Sequence, residues 1–426
     1  MQAFYIKTLG CRLNQAESAM MKEELILSGM RQAEHPGQAD FVLVNSCTVT
    51  ARADSKTLAY ARRARRENPA ATIAIIGCMA QTAMEDLLAL PYVDMVFGNQ
   101  EKNALVTTLL RQVPHSVGVL SEHSAPLKLI AQASGDERVN LKIQDGCDNT
   151  CSYCLVTIAR GPSRSIKMEH VLETAAELAH TFDEIILTGV HIGSYGKDLA
   201  EPSSLGRLME RLLEIPHLGR LRLSSIEPAE IDETILGLLS HPKLCRHLHI
   251  SLQSADDRIL ALMNRHYRWS EALKVMEQVK SIDPFLKIGT DIIAGFPGES
   301  PATFESICQR IESSPLDYLH IFPFSGRPGT QAVDLPDQCP DHEKHARVQR
   351  LQAVAAHLQE RFHRSCLGQQ RWVLLEKGAG YLKGETDNYI SVRLRENPTG
   401  RSKQLVRLSG LADDGQSMEG EIVTGS

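Results

Sequence analysis

A basic excess is missing from this chain of 426 residues. Its 46 lysine and arginine residues stand against 52 aspartate and glutamate residues, which gives a net charge of -6. No global positive field therefore attracts nucleic acid, and any contact with RNA must be local.

The chain also lacks the segments that direct a protein to or across a membrane. Residues 1–7 read as a strand and do not form the basic segment followed by an apolar one that marks a signal peptide. No apolar run approaches membrane-spanning length. We therefore expect a cytoplasmic protein without membrane contact.

Ten cysteines are present, but the chain is not the short secreted kind that a disulfide scaffold stabilises. In a long chain without a signal segment they indicate reduced thiols and metal ligation. The length allows two or three domains with a large core.

Three of the cysteines lie on one short loop. Cys147, Cys151 and Cys154 have the spacing C-x3-C-x2-C and follow an apolar alternating run at residues 139–143. Three thiolates can hold three corners of a cubic iron-sulfur cluster and leave one metal position open. A zinc site with a distant fourth ligand, or three unrelated buried thiols, would show the same spacing.

Three further cysteines follow strand-like runs in the first part of the chain. Each of the runs 3–9, 41–45 and 72–77 ends at, or within about two residues of, a cysteine: Cys11, Cys47 and Cys78. Helical patterns between the runs predict a parallel α/β domain over residues 1–135. Because ligands gather at the carboxyl ends of such strands, cysteines 36 (47 − 11) and 31 (78 − 47) residues apart can converge on one point. The alternative is that small apolar cysteines simply pack well at strand ends.

Residues 136–365 alternate between strand-like and helix-like runs. This alternation predicts a partial (β/α)6 TIM-like barrel whose active site lies at the carboxyl ends of its strands. The strand-like runs are 139–143, 184–188, 220–224, 247–252, 287–293 and 318–322, and the helix-like runs include 168–180, 205–213, 231–239, 269–281 and 301–311.

Two histidines, His247 and His249, fall on one side of the fourth of these strands. Two histidines alone make an incomplete metal site, so we expect a structural role for them.

The last part, residues 366–426, carries five short alternating runs: 371–375, 380–383, 389–394, 405–410 and 419–423. Such runs predict a small antiparallel barrel. Residues 371–410 contain eight lysines and arginines against four acids, a modest local excess that suits RNA, although a protein partner remains an alternative.

The cysteine loop resembles that of the radical S-adenosylmethionine (SAM) superfamily, in which an aromatic residue precedes the third cysteine, as Tyr153 does here. The resemblance implies a 4Fe-4S cluster on the three loop cysteines, with SAM chelating the fourth iron. It also implies the superfamily's reaction, in which an electron from the cluster cleaves SAM to a 5'-deoxyadenosyl radical that removes a hydrogen from carbon.

The sequences around Cys11, Cys47 and Cys78 resemble the amino-terminal domain of the methylthiotransferases, a radical SAM family. The resemblance implies a second 4Fe-4S cluster on these three cysteines, whose open iron carries the sulfur to be transferred. It further implies that the carboxyl-terminal barrel is a TRAM domain, which binds RNA.

The family pattern also implies which residues contact SAM. No conventional acid or base catalyst is expected, because the two clusters carry the chemistry. The implied cofactor-binding residues are Tyr153, Thr188, Gly189, Ser225, Gln253 and Ile293.

Within the family, segments 8–17, 47–56, 159–165 and 188–196 resemble the group that acts on N6-threonylcarbamoyladenosine at position 37 of the tRNA anticodon loop. The alternatives are isopentenyladenosine 37 and an aspartate of a ribosomal protein. Outside the family, an iron-sulfur sensor or a zinc-dependent RNA-binding protein would also need cysteine triplets. The resemblance further implies a monomer and an electron donor such as a flavodoxin or ferredoxin.

Four residues are predicted to bind the substrate. Guanidinium groups bind carboxylate and phosphate in bidentate fashion, so an arginine suits the threonyl carboxylate or RNA. The predicted set is Arg160, Arg164, His191 and Arg327. Residues 155–158 depart from the family pattern of two aliphatics, proline and an aromatic, so the pocket shape beside them does not follow from that pattern.

Overall fold

The computed structural model describes residues 1–103, 105–110, 117–119, 130–133, 137–376, 382–394 and 403–423. They form an amino-terminal sheet with helices, a central partial barrel and a small closed barrel. None of the helices among these residues combines the length and apolar composition needed to cross a membrane.

The first part is a parallel α/β unit, as the sequence predicts, with three further strands that were not predicted. All neighbouring strands are parallel, in the order β2-β1-β3-β4-β5-β6. The strands are β1 Ala3–Thr8, β2 Arg31–Gln32, β3 Phe41–Ser46, β4 Thr72–Gly77, β5 Met95–Phe97 and β6 Val117–Val119, and the helices are α1 Arg12–Leu27, α2 Ala51–Glu67, α3 Cys78–Thr82, α4 Met84–Leu88 and α5 Leu105–Leu110.

The central strand β3 is buried along its whole length because apolar clusters lie on both faces of the sheet. Val42 and Val44 pack in the cluster that includes the alanines of α2. Phe41 and Leu43 pack in the opposite cluster, which includes residues of α1. The strand ends at Ser46, immediately before Cys47.

The second part is the predicted partial (β/α)6 barrel. Its six parallel strands follow one another as β8, β11, β12, β13, β14 and β15, and the β12 and β13 segments are joined by isolated bridges. Among the described strands, β8 pairs at its outer edge with antiparallel β7 and not with β15, so the barrel stays open there. The strands are β7 Ile130–Ala133, β8 Arg138–Lys142, β9 Gln144–Asp145, β10 Arg164–Ser165, β11 Glu184–Thr188, β12 Arg220–Leu223, β13 His247–Gln253, β14 Lys287–Ala294 and β15 Tyr318–Pro323.

Helices cover the outside of the barrel, and one large apolar cluster fills the space between them and the strands. The long helix α13 packs against β15 and leads into the last part. The helices are α6 Val156–Arg160, α7 Met168–Leu178, α8 Leu205–Leu213, α9 Glu233–Leu238, α10 Asp257–Leu262, α11 Trp269–Ile282, α12 Pro301–Ser313 and α13 Asp341–Ser365.

The third part is a closed five-stranded barrel in the order β16-β17-β18-β20-β19. The predicted small barrel is confirmed, and four of its five strand pairs are antiparallel, whereas β18 and β20 run parallel. A closed ring with an odd number of strands cannot alternate direction at every step. The predicted run 380–383 begins outside the described residues. The strands are β16 Gln370–Glu376, β17 Leu382–Thr386, β18 Ser391–Leu394, β19 Lys403–Leu411 and β20 Met418–Ile422.

The small barrel docks on the amino ends of the central strands. Arg222 of β12 donates through Nη2 to the carbonyl of Thr386 at 3.1 Å, and Lys287 of β14 donates through Nζ to the carbonyl of Tyr389 at 2.9 Å. The cysteine loop lies at the opposite, carboxyl ends of the strands. The small barrel and the cysteine loop therefore lie at opposite ends of the central barrel.

Candidate active site

The first cysteine triplet lies where three neighbouring strands end. Cys11 caps the amino end of α1, Cys47 follows β3, and Cys78 is the first residue of α3. Burial chiefly, and then the neighbouring thiols of Cys78 and Cys11, raise the pKa of Cys47 to about 11. Thr8 pairs with Asn45 and Ser46 pairs with Gly77 across the sheet, so the cysteines that follow these strands lie at one edge, although they are far apart in sequence.

Gly10 allows the backbone next to Cys11 to pass close to Cys47. Its φ is +100°, a value that side chains rarely adopt, and a Cβ there would lie 2.5 Å from Cβ and 2.9 Å from Sγ of Cys47. All ten cysteines of the chain are free thiols. Three free thiols around a backbone that leaves them this room fit a cubic cluster with one open iron.

The second triplet is surrounded by hydrogen-bond donors. The backbone N–H groups of Asn149 and Val156 donate to the sulfurs of Cys147 and Cys154, each at 3.4 Å. Arg265 donates through Nη1 to Sγ of Cys151 at 3.3 Å. Donors aimed at three sulfurs suit thiolates that carry the negative charge of an iron-sulfur cluster.

Without a metal the thiol of Cys154 would be hard to ionise. Burial chiefly, followed by the neighbouring Cys151 and Cys147, raises the pKa of Cys154 to about 12. A metal ion reverses this because it binds the thiolate directly.

The helices next to the two triplets pack against each other where the first part meets the central barrel. Helix α3, which begins at Cys78, packs against α6, the helix that follows the cysteine loop. Asn99 bridges them: its Nδ2 lies 3.6 Å from Sγ of Cys78 and donates to the carbonyl of Ala159 at 2.7 Å. The interface thus sets Cys78 beside the helix that follows the cysteine loop.

A buried cluster of charges joins the same two parts. It contains two carboxylates and three cations, each at most 5% exposed. We call it the interface charge cluster: Glu17, Asp145, Lys102, Lys142 and Arg160.

Arg160, one of the predicted substrate-binding residues, belongs to this cluster. Its Nη1 donates to Glu17 at 2.9 Å and to Asp145 at 3.0 Å, and its Nη2 donates to Asn14 at 2.9 Å. Both terminal nitrogens are thus taken by protein oxygens in a buried place. The sequence showed the arginine but not the carboxylate from another part of the chain that binds it.

Arg327 also joins the two parts of the molecule. It is buried, forms an ion pair with Asp54 at the start of α2, and donates through Nη2 to Oγ1 of Thr48 at 2.8 Å. It thus holds the residue next to Cys47 against the end of the central barrel. Arg164 is half-buried, and its Nη2 lies 3.4 Å from the carbonyl of Arg160.

His191 lies against the cysteine loop. Its Nδ1 is 3.5 Å from Sγ of Cys147, and its Nε2 is 2.7 Å from Oε1 of Glu230. Burial on its own lowers the pKa of His191, but these two contacts outweigh burial and raise that pKa to about 10. Its position makes it a neighbour of the cluster site.

Two of the predicted SAM-binding residues come together. Tyr153 and Ile293 both pack against the apolar cluster around Phe296 and Phe324 at the carboxyl ends of the strands. The rings of Tyr153 and Phe296 meet edge to face with centroids 6.2 Å apart. An apolar wall of this kind suits the flat face of an adenine.

The other predicted SAM-binding residues lie at neighbouring strand ends. Thr188 is the last residue of β11, and a Cβ on Gly189 would lie 3.0 Å from the carbonyl oxygen of Gln144. Ser225 is exposed after β12. Gln253 ends β13 at a bulge, with φ of 73° in the left-handed region. Such a backbone at a strand end is often part of a binding site.

Two residues that the sequence analysis missed hold the site in shape. Gln144 accepts the N–H groups of Val190 and His191 through Oε1 and donates through Nε2 to the carbonyl of Gly146. Glu227 binds Arg265 at 2.9 Å, so it orients the donor to the cysteine loop. Gln144 directly precedes the predicted loop, which was the only signal for it.

Comparison with known proteins agrees with this geometry. Residues 3–98 match the family model described as uncharacterized protein family UPF0004, and residues 141–311 match that of the radical SAM superfamily. The threonylcarbamoyladenosine tRNA methylthiotransferase of Thermotoga maritima is 36% identical over 97% of this chain and 96% of its own length. The tRNA-2-methylthio-N(6)-dimethylallyladenosine synthase of Methylobacillus flagellatus is 31% identical over 98% of each chain.

Among solved structures, a radical S-adenosylmethionine methyltransferase from Kitasatospora setae superposes with a TM-score of 0.53, covering 78% of this chain and 77% of that one. The two sequences are 13% identical, so this likeness concerns the fold alone. The relatives that match along nearly the whole length carry the family assignment: the chain belongs to the radical SAM methylthiotransferases.

Proposed function

We propose that this chain transfers a methylthio group to C2 of N6-threonylcarbamoyladenosine at position 37 in the anticodon loop of tRNA. The observation that carries the proposal is the packing of α3, which begins at Cys78, against α6, which follows the cysteine loop, with Asn99 linking Cys78 to Ala159 of α6. Relatives named for threonylcarbamoyladenosine reach 36% identity, and the dimethylallyladenosine synthase of Methylobacillus flagellatus reaches 31%, which favours the first substrate.

The six cysteines would hold two 4Fe-4S clusters, and SAM would lie against the second of them. When bound, these groups supply one-electron chemistry, a carbon radical and a sulfur carrier. The protein's own part is to hold them where its first part meets the central barrel. Tyr153 and Ile293 would wall the adenine, while Gly189, Thr188, Ser225 and Gln253 lie around the same strand ends.

Asn149 and Arg265 hold the second triplet by donating hydrogen bonds to its sulfurs. Hydrogen bonds to cluster sulfurs raise the reduction potential, because they stabilise the more negative reduced state. Glu227 fixes the direction of the arginine. These residues thereby set how readily the site accepts an electron from a donor such as a flavodoxin or ferredoxin.

The proposal includes a monomer that acts in the cytoplasm, where its tRNA substrate is found. The small barrel supplies a TRAM-type surface for RNA, within about residues 366–426. Arg164 is the predicted arginine that stays closest to a substrate role, because it is only half-buried.

Mass spectrometry of tRNA nucleosides tests the substrate. In a strain that lacks this gene, 2-methylthio-threonylcarbamoyladenosine should vanish and return with the parent gene. C78A and C147A should not restore it, whereas C308A, a change at a buried cysteine outside both triplets, should. Loss of the dimethylallyl derivative instead would move the substrate to that nucleoside. Unchanged tRNA would leave the ribosomal protein as the target.

Iron analysis tests the cofactors. Two cubic clusters require about eight irons per chain, and C78A should retain about four. Zinc in place of iron would support the zinc-dependent RNA-binding alternative. An iron-sulfur sensor would keep the iron but would not cleave SAM to 5'-deoxyadenosine under reducing, anaerobic conditions.

A further inference from the structure

Two histidines and an aspartate meet on three neighbouring strands of the central barrel. His249 lies on β13, Asp291 on β14 and His320 on β15. Their chain neighbours Leu248, Ile292 and Leu319 pack outward in the core beneath the helices. Because side chains alternate along a strand, the two histidines and the aspartate face the inside of the barrel.

The distances between their polar atoms suit ligands of one ion. His249 Nε2 is 3.0 Å, and His320 Nδ1 is 3.4 Å, from the same oxygen Oδ1 of Asp291. Two ligands that each lie about 2.1 Å from a metal are about 3.0 Å apart at a right angle and about 3.4 Å apart at the tetrahedral angle. Among the described residues, these three form a group in which one ligand atom from each lies within 4.8 Å of the others.

A neighbouring tyrosine orients the buried ligand. The hydroxyl of Tyr318 lies 2.8 Å from His249 Nδ1 and 2.8 Å from His247 Nε2. Gly289 makes room for it, because a Cβ there would lie 1.9 Å from Cζ of the tyrosine. Metal-binding histidines usually bond through their second nitrogen to such a partner, which fixes the ring. His249 is thereby held with Nε2 toward Asp291.

The solvent exposure of the three side chains increases from His249 through Asp291 to His320. The side chains of His249, Asp291 and His320 are 8%, 23% and 52% exposed. A metal ion can therefore enter from the side of His320, and coordination positions there remain open to water or a ligand.

We propose that His249, Asp291 and His320 form a binding site for a divalent transition-metal ion inside the barrel. Two imidazole nitrogens and one carboxylate oxygen suit borderline ions such as Zn²⁺ or Fe²⁺. None of the six triplet cysteines takes part, so the site is separate from the proposed clusters. It is also independent of which nucleoside the enzyme modifies.

Zinc is used to test the site, because elemental analysis counts bound zinc separately from the iron of the clusters. The holoenzyme, prepared without oxygen, is incubated with Zn²⁺ and freed of unbound metal, and zinc and iron are counted by plasma mass spectrometry. The parent should bind one zinc more than H249A, D291N and H320A, with the same iron in all four proteins. H345A, at an exposed histidine on α13, should bind as the parent does.

Tyr318→Phe provides a second measurement, because it keeps all three ligands. The zinc affinity should fall about 10- to 100-fold, as expected when a ligating histidine loses its partner. Equal zinc in the parent, D291N and H320A would overturn the proposal, as would a parent that binds none. An unchanged affinity in Y318F would remove the tyrosine's orienting role, and with it the case for a built site.

Discussion

The interface charge cluster makes a quantitative prediction about Arg160. The cluster has three cations and two carboxylates, all buried. Arg160→Met leaves two of each, and both carboxylates keep a lysine partner. Glu17→Gln leaves three cations around one carboxylate. The second change should therefore be the more damaging, although both remove the same contact between the two parts of the molecule.

The magnitudes follow from what each variant leaves uncompensated. An unpaired buried charge costs about 3–5 kcal/mol, which applies to E17Q. R160M loses hydrogen bonds between charged groups whose other partners remain, at about 1–3 kcal/mol. Since each 1.4 kcal/mol is a factor of ten, interface amides should exchange about 10²- to 10³·⁵-fold faster in E17Q and about 5- to 150-fold faster in R160M.

Hydrogen exchange of the holoenzyme, followed by mass spectrometry on peptides from α1 and β9, measures this opening. The tRNA affinity of R160M is measured in parallel at several salt concentrations. If Arg160 acts only at the interface, the slope of log affinity against log salt stays at the parent value. If R160M instead loses about 0.7–0.9 from that slope while the interface amides exchange as in the parent, the arginine contacts a phosphate and the reasoning above is refuted.

Three further outcomes are expected. Gly10→Ala should lose about four of the eight irons, because its Cβ meets the neighbouring cysteine, whereas Gly29→Ala, with a similar φ of +89° but no atom within 4 Å of the new Cβ, should keep them all. Burial lowers the pKa of Lys287 from 10.5 to about 8, so between pH 8 and pH 10.5 this lysine holds a proton in the unfolded chain but not in the folded one. The melting temperature should therefore rise with pH across this range, and K287M should show no such rise. Arg265→Met should lower the reduction potential of the loop cluster without iron loss, measured by redox titration, while R268M, at an exposed arginine nearby, should leave it unchanged.

The sequence by itself determined the order of elements and the chemistry of the cysteines. The succession of strand-like and helix-like segments located β3 and the six barrel strands. A parallel strand that is buried on both faces is apolar along its length, and the apolar residues of a helix that covers it recur about every 3.6 residues. The loop spacing of Cys147, Cys151 and Cys154 is a local property and was readable directly. So was the position of Cys11, Cys47 and Cys78 at the ends of strands.

Only the tertiary structure decided what the charged residues do. Arg160 and Arg327 were predicted to bind substrate, and the sequence could not show that Glu17 and Asp54 from another part of the chain bind them in the fold. The sequence also could not show that His249 and His320 both approach Asp291, which lies on the strand between theirs. Contacts between distant segments depend on how sheets and helices pack, and no local pattern records that packing.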